Sequence, residues 1–148
     1  MNEGKDLHTL MREITLPQEC EVGEGYGKVS WSIRAIWENY AGWFQHASTT
    51  ELYNVPQRAI HADLVELAGI EALLERAQQK FQSGEPEQAL HLLDIVFTAE
   101  PGQQQAVALA IRIHEKLLAE TDNFWLSGWL ANQIKLLKGG VTPALSFK

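Results

Sequence analysis

The sequence is poor in the residues that build covalent or metal-centred frameworks. Only one of its 148 residues, Cys20, is a cysteine. This excludes an internal disulfide and any zinc module built from several cysteines of one chain. No histidine or basic residue neighbours Cys20 to activate its thiol, so we expect an unreactive loop residue.

Clusters of basic residues and long apolar runs are also missing. Twelve lysines and arginines stand against 19 acidic residues, for a formal net charge of −7, and no basic stripe suits a phosphate backbone. Nucleic acid is therefore not an expected partner. No apolar run approaches the roughly 20 residues of a membrane span, and the N-terminus is polar where a signal peptide needs an apolar core. We expect a cytoplasmic protein with no membrane contact.

No segment long enough for a β-strand shows the alternation of apolar and polar residues that is typical of strands. Apolar residues instead recur at helical spacing along most of the chain. The pattern predicts an all-α fold, a helical bundle or array, with helices at about 6–14, 29–44, 56–68, 70–83, 86–99, 103–120 and 124–138. In the third of these helices the inward face is predicted to carry Ile60, Leu64, Leu67 and Ala68, and Gly69 to end it.

Aromatic residues are concentrated in two of the predicted helices. Trp37, Tyr40, Trp43 and Phe44 follow the helical period, which favours a place in the core over a ligand cage. Five tryptophans nevertheless exceed what one small helical core usually absorbs, and tryptophan and tyrosine concentrate at interface centres. The candidates for contacts between chains are therefore Trp31, Trp37, Tyr40, Trp43, Phe44, Trp125 and Trp129.

A repeat is visible between Ile70 and about Glu120. Gly84, Ala89, Leu93 and Pro101 have the spacing of a tetratricopeptide unit, in which small residues let antiparallel helices approach closely. Only about one and a half units are present, whereas such arrays need about three repeats to bury a continuous core. We expect the remaining apolar faces to be covered by the N-terminal helices or by another chain.

Chemistry-bearing motifs are scarce. None of the five histidines has another within four residues, as metal-binding helices and loops require, and His46 is the best single candidate for a ligand. The glycines at 23, 25 and 27 lack the preceding strand of a dinucleotide site, and we interpret them as a hinge. No catalytic, cofactor-binding or metal-ligating residue is assigned.

One stretch of the sequence is distinctive enough to indicate a protein family. The segment GYGKVSWSIRAIW at 25–37, followed by YAGWF at 40–44, resembles the start of the alkyl sulfatase dimerisation domain. The resemblance continues through DLVELAG at 63–69 to about Gly128. It implies a helical domain that follows a metallo-β-lactamase-fold hydrolase domain and pairs with a second copy. We therefore predict a linker or junction remnant at 1–24 beside a missing catalytic domain, a dimerisation domain at 25–140 and a tail at 141–148.

Two departures from this family bear on function. Residues 45–50 read QHASTT where the family typically carries an Asp-Gly-Asn-Pro-like turn, and the His-x-His-x-Asp-His metal motif is absent. The resemblance thus implies zinc only in the absent catalytic domain and no cofactor in this chain. The leading hypothesis is a homodimerisation module that catalyses nothing alone. The alternatives are a tetratricopeptide-like adaptor for a partner protein or peptide, and a subunit whose loop 45–54 reaches another chain's active site.

Overall fold

The computed structural model describes residues 4–142. Within this range it contains α-helices, short 3-10 turns and no strand, which confirms the all-α fold class. The tetratricopeptide-like detail stays a prediction. No helix in this part of the chain combines the length and the apolar character that a membrane crossing would need. The helices are α1 Leu7–Glu13, α2 Val29–Ala41, α3 His61–Ala68, α4 Ile70–Gln82, α5 Pro86–Ala99, α6 Gln104–Ala119 and α7 Phe124–Lys138.

The chain forms two compact units. The N-terminal unit comprises the described residues up to Val55 together with Asp122–Trp125, and the core unit comprises Pro56–Thr121 together with the described residues from Leu126 onward. The proposed division into segments 1–24, 25–140 and 141–148 stays a prediction. Most of the predicted tail, 143–148, lies outside the described residues.

Helices α1 and α2 pack together in the N-terminal unit. The carboxylate of Asp6 accepts a hydrogen bond from the backbone N–H of Thr9 at 3.0 Å, which satisfies one of the free donors at the start of α1. Glu24 does the same for α2, accepting from the N–H of Val29 at 2.8 Å. Local side chains therefore define where both helices begin.

The glycine-rich segment at 24–27 is held in place by the residues before and at the start of α7. The side-chain amide of Asn123 donates to the carbonyl oxygens of Glu24 at 2.6 Å and Gly27 at 3.2 Å. The N–H of Phe124 donates to the carbonyl of Gly25 at 2.7 Å. Because the Asn123 side chain is buried, these bonds are shielded from water. The segment therefore has a defined conformation, and its interpretation as a hinge stays a prediction.

Helix α2 is shorter than its apolar pattern predicts. It ends at Ala41 because Gly42 adopts φ +72°, a backbone conformation that suits glycine, while its N–H still bonds to the carbonyl of Glu38. Trp43 and Phe44 follow this break, so the prediction that they continue the helical stripe was wrong. On the surface of α2, Arg34 and Glu38 form an i,i+4 ion pair at 3.6 Å.

Most of the hydrophobic core lies in the core unit. Helices α4, α5 and α6 pack against one another, and the fully buried Ala77 and Ala89 allow close approach of α4 and α5. Helix α7 adds Leu137. The buried cluster comprises Leu74, Ala77, Ala89, Leu93, Val96, Phe97, Ala106, Leu109, Ala110, Ile113 and Leu137.

Helix α3 turns a different face to the core unit from the one predicted. It packs on α5, and its half-buried residues are His61 and Val65. The residues predicted to point inward are exposed: Ile60, Leu64, Leu67 and Ala68. The helix does end at Gly69, which has φ +81°, as predicted. The periodicity located the helix correctly, but the packing of α5 selected the buried side.

Candidate self-association surface

Exposed apolar residues are distributed unevenly along the chain. Within residues 4–142, eighteen large hydrophobic residues are exposed, and thirteen of them belong to the N-terminal unit. Of the fourteen buried apolar residues in the same range, only Leu7 and Ile33 belong to that unit. The N-terminal unit therefore buries little of its apolar surface in a single copy.

The aromatic residues at the end of α2 are the clearest case. Tyr40 is 76% exposed and Trp43 is 72% exposed, so their predicted place in the core was wrong for a single copy. Trp37 and Phe44 are half-buried, and Trp31 is exposed. Of the predicted contact residues, the structure brings together Trp43 and Phe44, whose ring centroids are 5.9 Å apart.

The half-buried Trp37 leaves a polar group unsatisfied. Within the described chain its indole Nε1 is buried and has no hydrogen-bond partner. A tryptophan N–H that is removed from water normally finds an acceptor, because the lost hydrogen bond to water costs free energy. The buried N–H of Trp37 therefore lowers the stability of the single copy.

A second exposed aromatic group lies in the N-terminal unit. The rings of Tyr26 and Phe124 are 5.7 Å apart, and Phe124 meets Trp125 edge-on at 5.2 Å. All three side chains are more than half exposed. Trp125 is among the predicted contact residues, whereas Tyr26 and Phe124 are not. Tyr26 lies in an aperiodic glycine-rich segment, so no helical pattern assigned it to a face.

Trp129, the remaining predicted contact residue, belongs to the core unit. It is 64% exposed on α7, whose buried residues in that unit are Leu130, Gln133 and Leu137. Its exposure is compatible with the predicted contact to another chain. The assignment of all seven aromatic residues to contacts between chains stays a prediction.

The loop after α2 is built around one carboxylate. Glu51 accepts hydrogen bonds from the backbone N–H groups of Gln45, Ala47 and Ser48 at 2.7–3.1 Å. Desolvation raises the pKa of Glu51, but these three donors and the nearby His46 outweigh it and hold the pKa below its usual value. His46 itself has φ +60° and stacks on Phe44 at 4.2 Å. The loop therefore has a definite shape.

Metal-ligating side chains are not clustered in the part of the chain that the structure describes. No group of three or more histidine, cysteine, aspartate or glutamate residues there is placed to hold a metal ion. His46, the best candidate from the sequence, stacks on a phenylalanine ring. The dominant feature of the molecule is thus exposed apolar and aromatic surface on an all-α scaffold, which is typical of a module that contacts another chain.

Comparison with known proteins agrees with this class. The family model described as "Alkyl sulfatase dimerisation" matches residues 7–139, and the chain belongs to this family. The resemblance found at residues 25–44 and 63–69 is therefore confirmed. Membership in a dimerisation family implies self-association.

Individual relatives are alkyl sulfatases of much greater length. The chain is 29% identical to the alkyl/aryl-sulfatase BDS1 of Saccharomyces cerevisiae over 145 residues, covering 94% of this chain and 22% of that protein. It is 27% identical to an (R)-specific secondary-alkylsulfatase of Pseudomonas sp., again covering 94% of this chain and 22% of the relative. The solved structure of a stereoselective inverting sec-alkylsulfatase from Pseudomonas sp. is 26% identical with a TM-score of 0.83, covering 97% of this chain and 23% of that one. The chain thus spans about a fifth of the length of these relatives.

Proposed function

We propose that this chain is a homodimerisation module of an alkyl sulfatase-like hydrolase and that it has no catalytic activity by itself. The single observation that carries the proposal is the poor burial of the N-terminal unit, in which thirteen large hydrophobic residues are exposed and two apolar residues are buried within the described residues. Such a surface is stable in water when a second molecule covers it. A second copy is the occupant that the family's description names.

The exposed aromatic side chains supply apolar surface for a contact between chains. Burying one large apolar side chain stabilises a complex by about 1.5–3 kcal/mol, and a typical interface buries about 800 Å² per partner. Tyr40 and Trp43 are the most exposed of the seven candidate residues. Together with the half-buried Trp37 on the same helix, they form the proposed centre of the interface. Because a two-fold contact is self-complementary, each side chain would be used twice.

The experiment measures the oligomeric state directly. Sedimentation equilibrium should show a dimer of the wild-type chain, and the double substitution Tyr40→Ser with Trp43→Ser should weaken its dissociation constant by at least about a hundredfold. Leu67→Ser is the matched control, since it removes an equally exposed apolar side chain from α3. A wild-type chain that stays monomeric at high concentration would refute the proposal. Dissociation by Leu67→Ser but not by the double variant would refute the proposed centre.

The catalytic part of the proposal has its own test. The resemblance implies that zinc and the hydrolytic residues reside in a metallo-β-lactamase-fold domain, outside this chain. Sulfate release from a medium-chain alkyl sulfate should therefore stay at the rate of buffer alone, with or without added zinc. Zinc-dependent turnover by the purified chain would contradict the absence of catalytic activity.

A further inference from the structure

Helix α3 and the residue before it present an apolar face that the described residues leave uncovered. Ile60 and Leu64 are 54% and 36% exposed, and Leu67 is 84% exposed. These residues follow one another at spacings of four and three, which places them on one side of the helix. Another side of α3 is tied to α5 by the 3.0 Å contact between His61 Nδ1 and Thr98 Oγ1. A rotation of α3 that hid the apolar face would break this contact.

Helix α7 presents a second uncovered face in the core unit. Trp129 is 64% exposed, and Leu136, two turns later on the same side of the helix, is half-buried. The residues of α7 that the core unit buries are Leu130, Gln133 and Leu137. Trp129 therefore lies on the side of α7 that faces away from the core.

The two helices carry charges of opposite sign. Helix α3 contains the exposed carboxylates of Asp63 and Glu66 and has no lysine or arginine. Helix α7 contains Lys135 and Lys138 and has no acidic residue. Lys138 is paired with Glu115 at 2.8 Å, which makes the exposed Lys135 the lysine that another chain can pair with. An α3 face and an α7 face therefore attract each other.

We propose that α3 of one chain binds α7 of a second copy, in a contact additional to the dimer centred on Tyr40 and Trp43. Pairing α3 with α3, or α7 with α7, would bring like charges together, which costs free energy. Pairing α3 with α7 instead joins opposite charges and covers both apolar faces. We expect Leu67 of one chain to pack near Trp129 of the other.

The contact joins two different faces, so each chain offers one α3 face and one α7 face to its neighbours. Head-to-tail contacts of this kind assemble dimers into larger species. Helix α3 has eight residues and is about 12 Å long, which places the contact in the class of small, transient interfaces. We therefore expect the dimers to associate only above about 0.1 mM. Leu67→Ser should weaken this further association and leave the dimer intact.

The first test is sedimentation velocity of the full chain at increasing concentration. The average mass of the wild-type chain should rise above that of the dimer. Leu67→Ser and Trp129→Ser should each weaken this association about tenfold, because each removes a large apolar side chain from one of the two faces. Val141→Ser is the control, since it removes another exposed apolar side chain of the core unit and should have no effect.

An equal mixture of Leu67→Ser and Trp129→Ser chains tests whether the contact joins two different faces. Each variant alone has lost one face, but in the mixture the intact α7 of the first can bind the intact α3 of the second. The mixture should therefore associate more strongly than either variant alone at the same total concentration. A contact of α3 with α3 would instead leave Trp129→Ser at the wild-type level. Variants that had failed to fold would not recover on mixing.

Charge reversal tests the electrostatic part of the contact. Asp63→Lys and Lys135→Glu should each weaken the association about threefold at low salt, and the two substitutions in one chain should restore it, because the charges have then changed places. The proposal is overturned if the mixture associates no more strongly than its components, or if the doubly reversed chain is no better than the single variants.

Failure of this contact and failure of the proposed dimer give different results. A wild-type chain that stays a dimer up to about 1 mM would refute the contact of α3 with α7 and leave the dimer standing. A chain that associates only through α3 and α7, with Tyr40→Ser and Trp43→Ser having no effect, would support this contact and refute the proposed dimer centre.

Discussion

Glu51 shows how one side chain can organise a loop that has no regular structure. Its carboxylate takes three backbone N–H donors from residues 45–48, which would otherwise need water as a partner. The QHASTT segment has no periodic pattern of apolar residues. The three hydrogen bonds to Glu51 are therefore visible only in the folded loop. A sequence pattern can indicate one feature of this loop, the capping box formed by Ser48 and Glu51.

Replacing Glu51 with glutamine should loosen this loop and remove its pH dependence. Since the folded-state pKa of Glu51 is lowered, its contribution to loop stability is present above the unfolded-state pKa of about 4.3 and is lost as the pH falls through the folded-state value. Amide protection factors of Gln45 and Ala47 should therefore drop on acidification in the wild type and be low at every pH in Glu51→Gln. Glu19→Gln, at an exposed site away from the loop, is the control. Equal protection in wild type and Glu51→Gln would show that the carboxylate does not hold the loop.

Helices α2 and α3 each end at a glycine whose φ is positive. Gly69 separates α3 from α4 with φ +81° and ψ 147°, a conformation that residues with a Cβ atom rarely adopt. The sequence predicted this boundary because glycine follows the last periodic residue of α3. Gly128 is different, since it lies inside α7, where a side chain would meet open space.

Substituting alanine at these two glycines should change stability in opposite directions. Gly69→Ala should lower the free energy of unfolding by about 1–3 kcal/mol, because the backbone conformation becomes strained. Gly128→Ala should raise the free energy of unfolding by about 0.5–1 kcal/mol. Alanine is the better helix former, and it lowers the conformational entropy of the unfolded chain. Urea denaturation followed by circular dichroism measures both. A stabilising Gly69→Ala would contradict the backbone conformation described for that residue.

Across the whole molecule, the two units differ in how much apolar surface each one hides. The core unit has a contiguous buried cluster from α4, α5, α6 and α7. The N-terminal unit has two buried apolar residues among those described, so it buries little apolar surface of its own. Self-association and the folding of this unit are therefore expected to be linked, as in proteins whose subunits cover each other's apolar faces.

Dilution should expose this linkage. Below the dissociation constant of the dimer, backbone amides of α2 should exchange with deuterium faster than at high concentration, while amides of α4 to α6 keep their protection. Hydrogen–deuterium exchange read by mass spectrometry at two protein concentrations measures both sets of peptides in one sample, so the core unit serves as the internal control. If exchange in α2 did not depend on protein concentration, this would contradict the proposal that a second copy covers the N-terminal unit.

The sequence by itself determined the fold class, the approximate position of every helix, the boundary at Gly69 and the family. These features depend on local properties, namely periodicity, turn residues and a specific string of aromatic and glycine residues. Only the tertiary structure decided that α3 leaves Leu64 and Leu67 exposed, that α2 stops before Trp43, and that Trp129 lies on the side of α7 away from the core. The physical reason is that periodicity gives a helix an apolar face without naming the neighbour that covers it. Which residues meet is set by the packing of helices that lie far apart in the sequence.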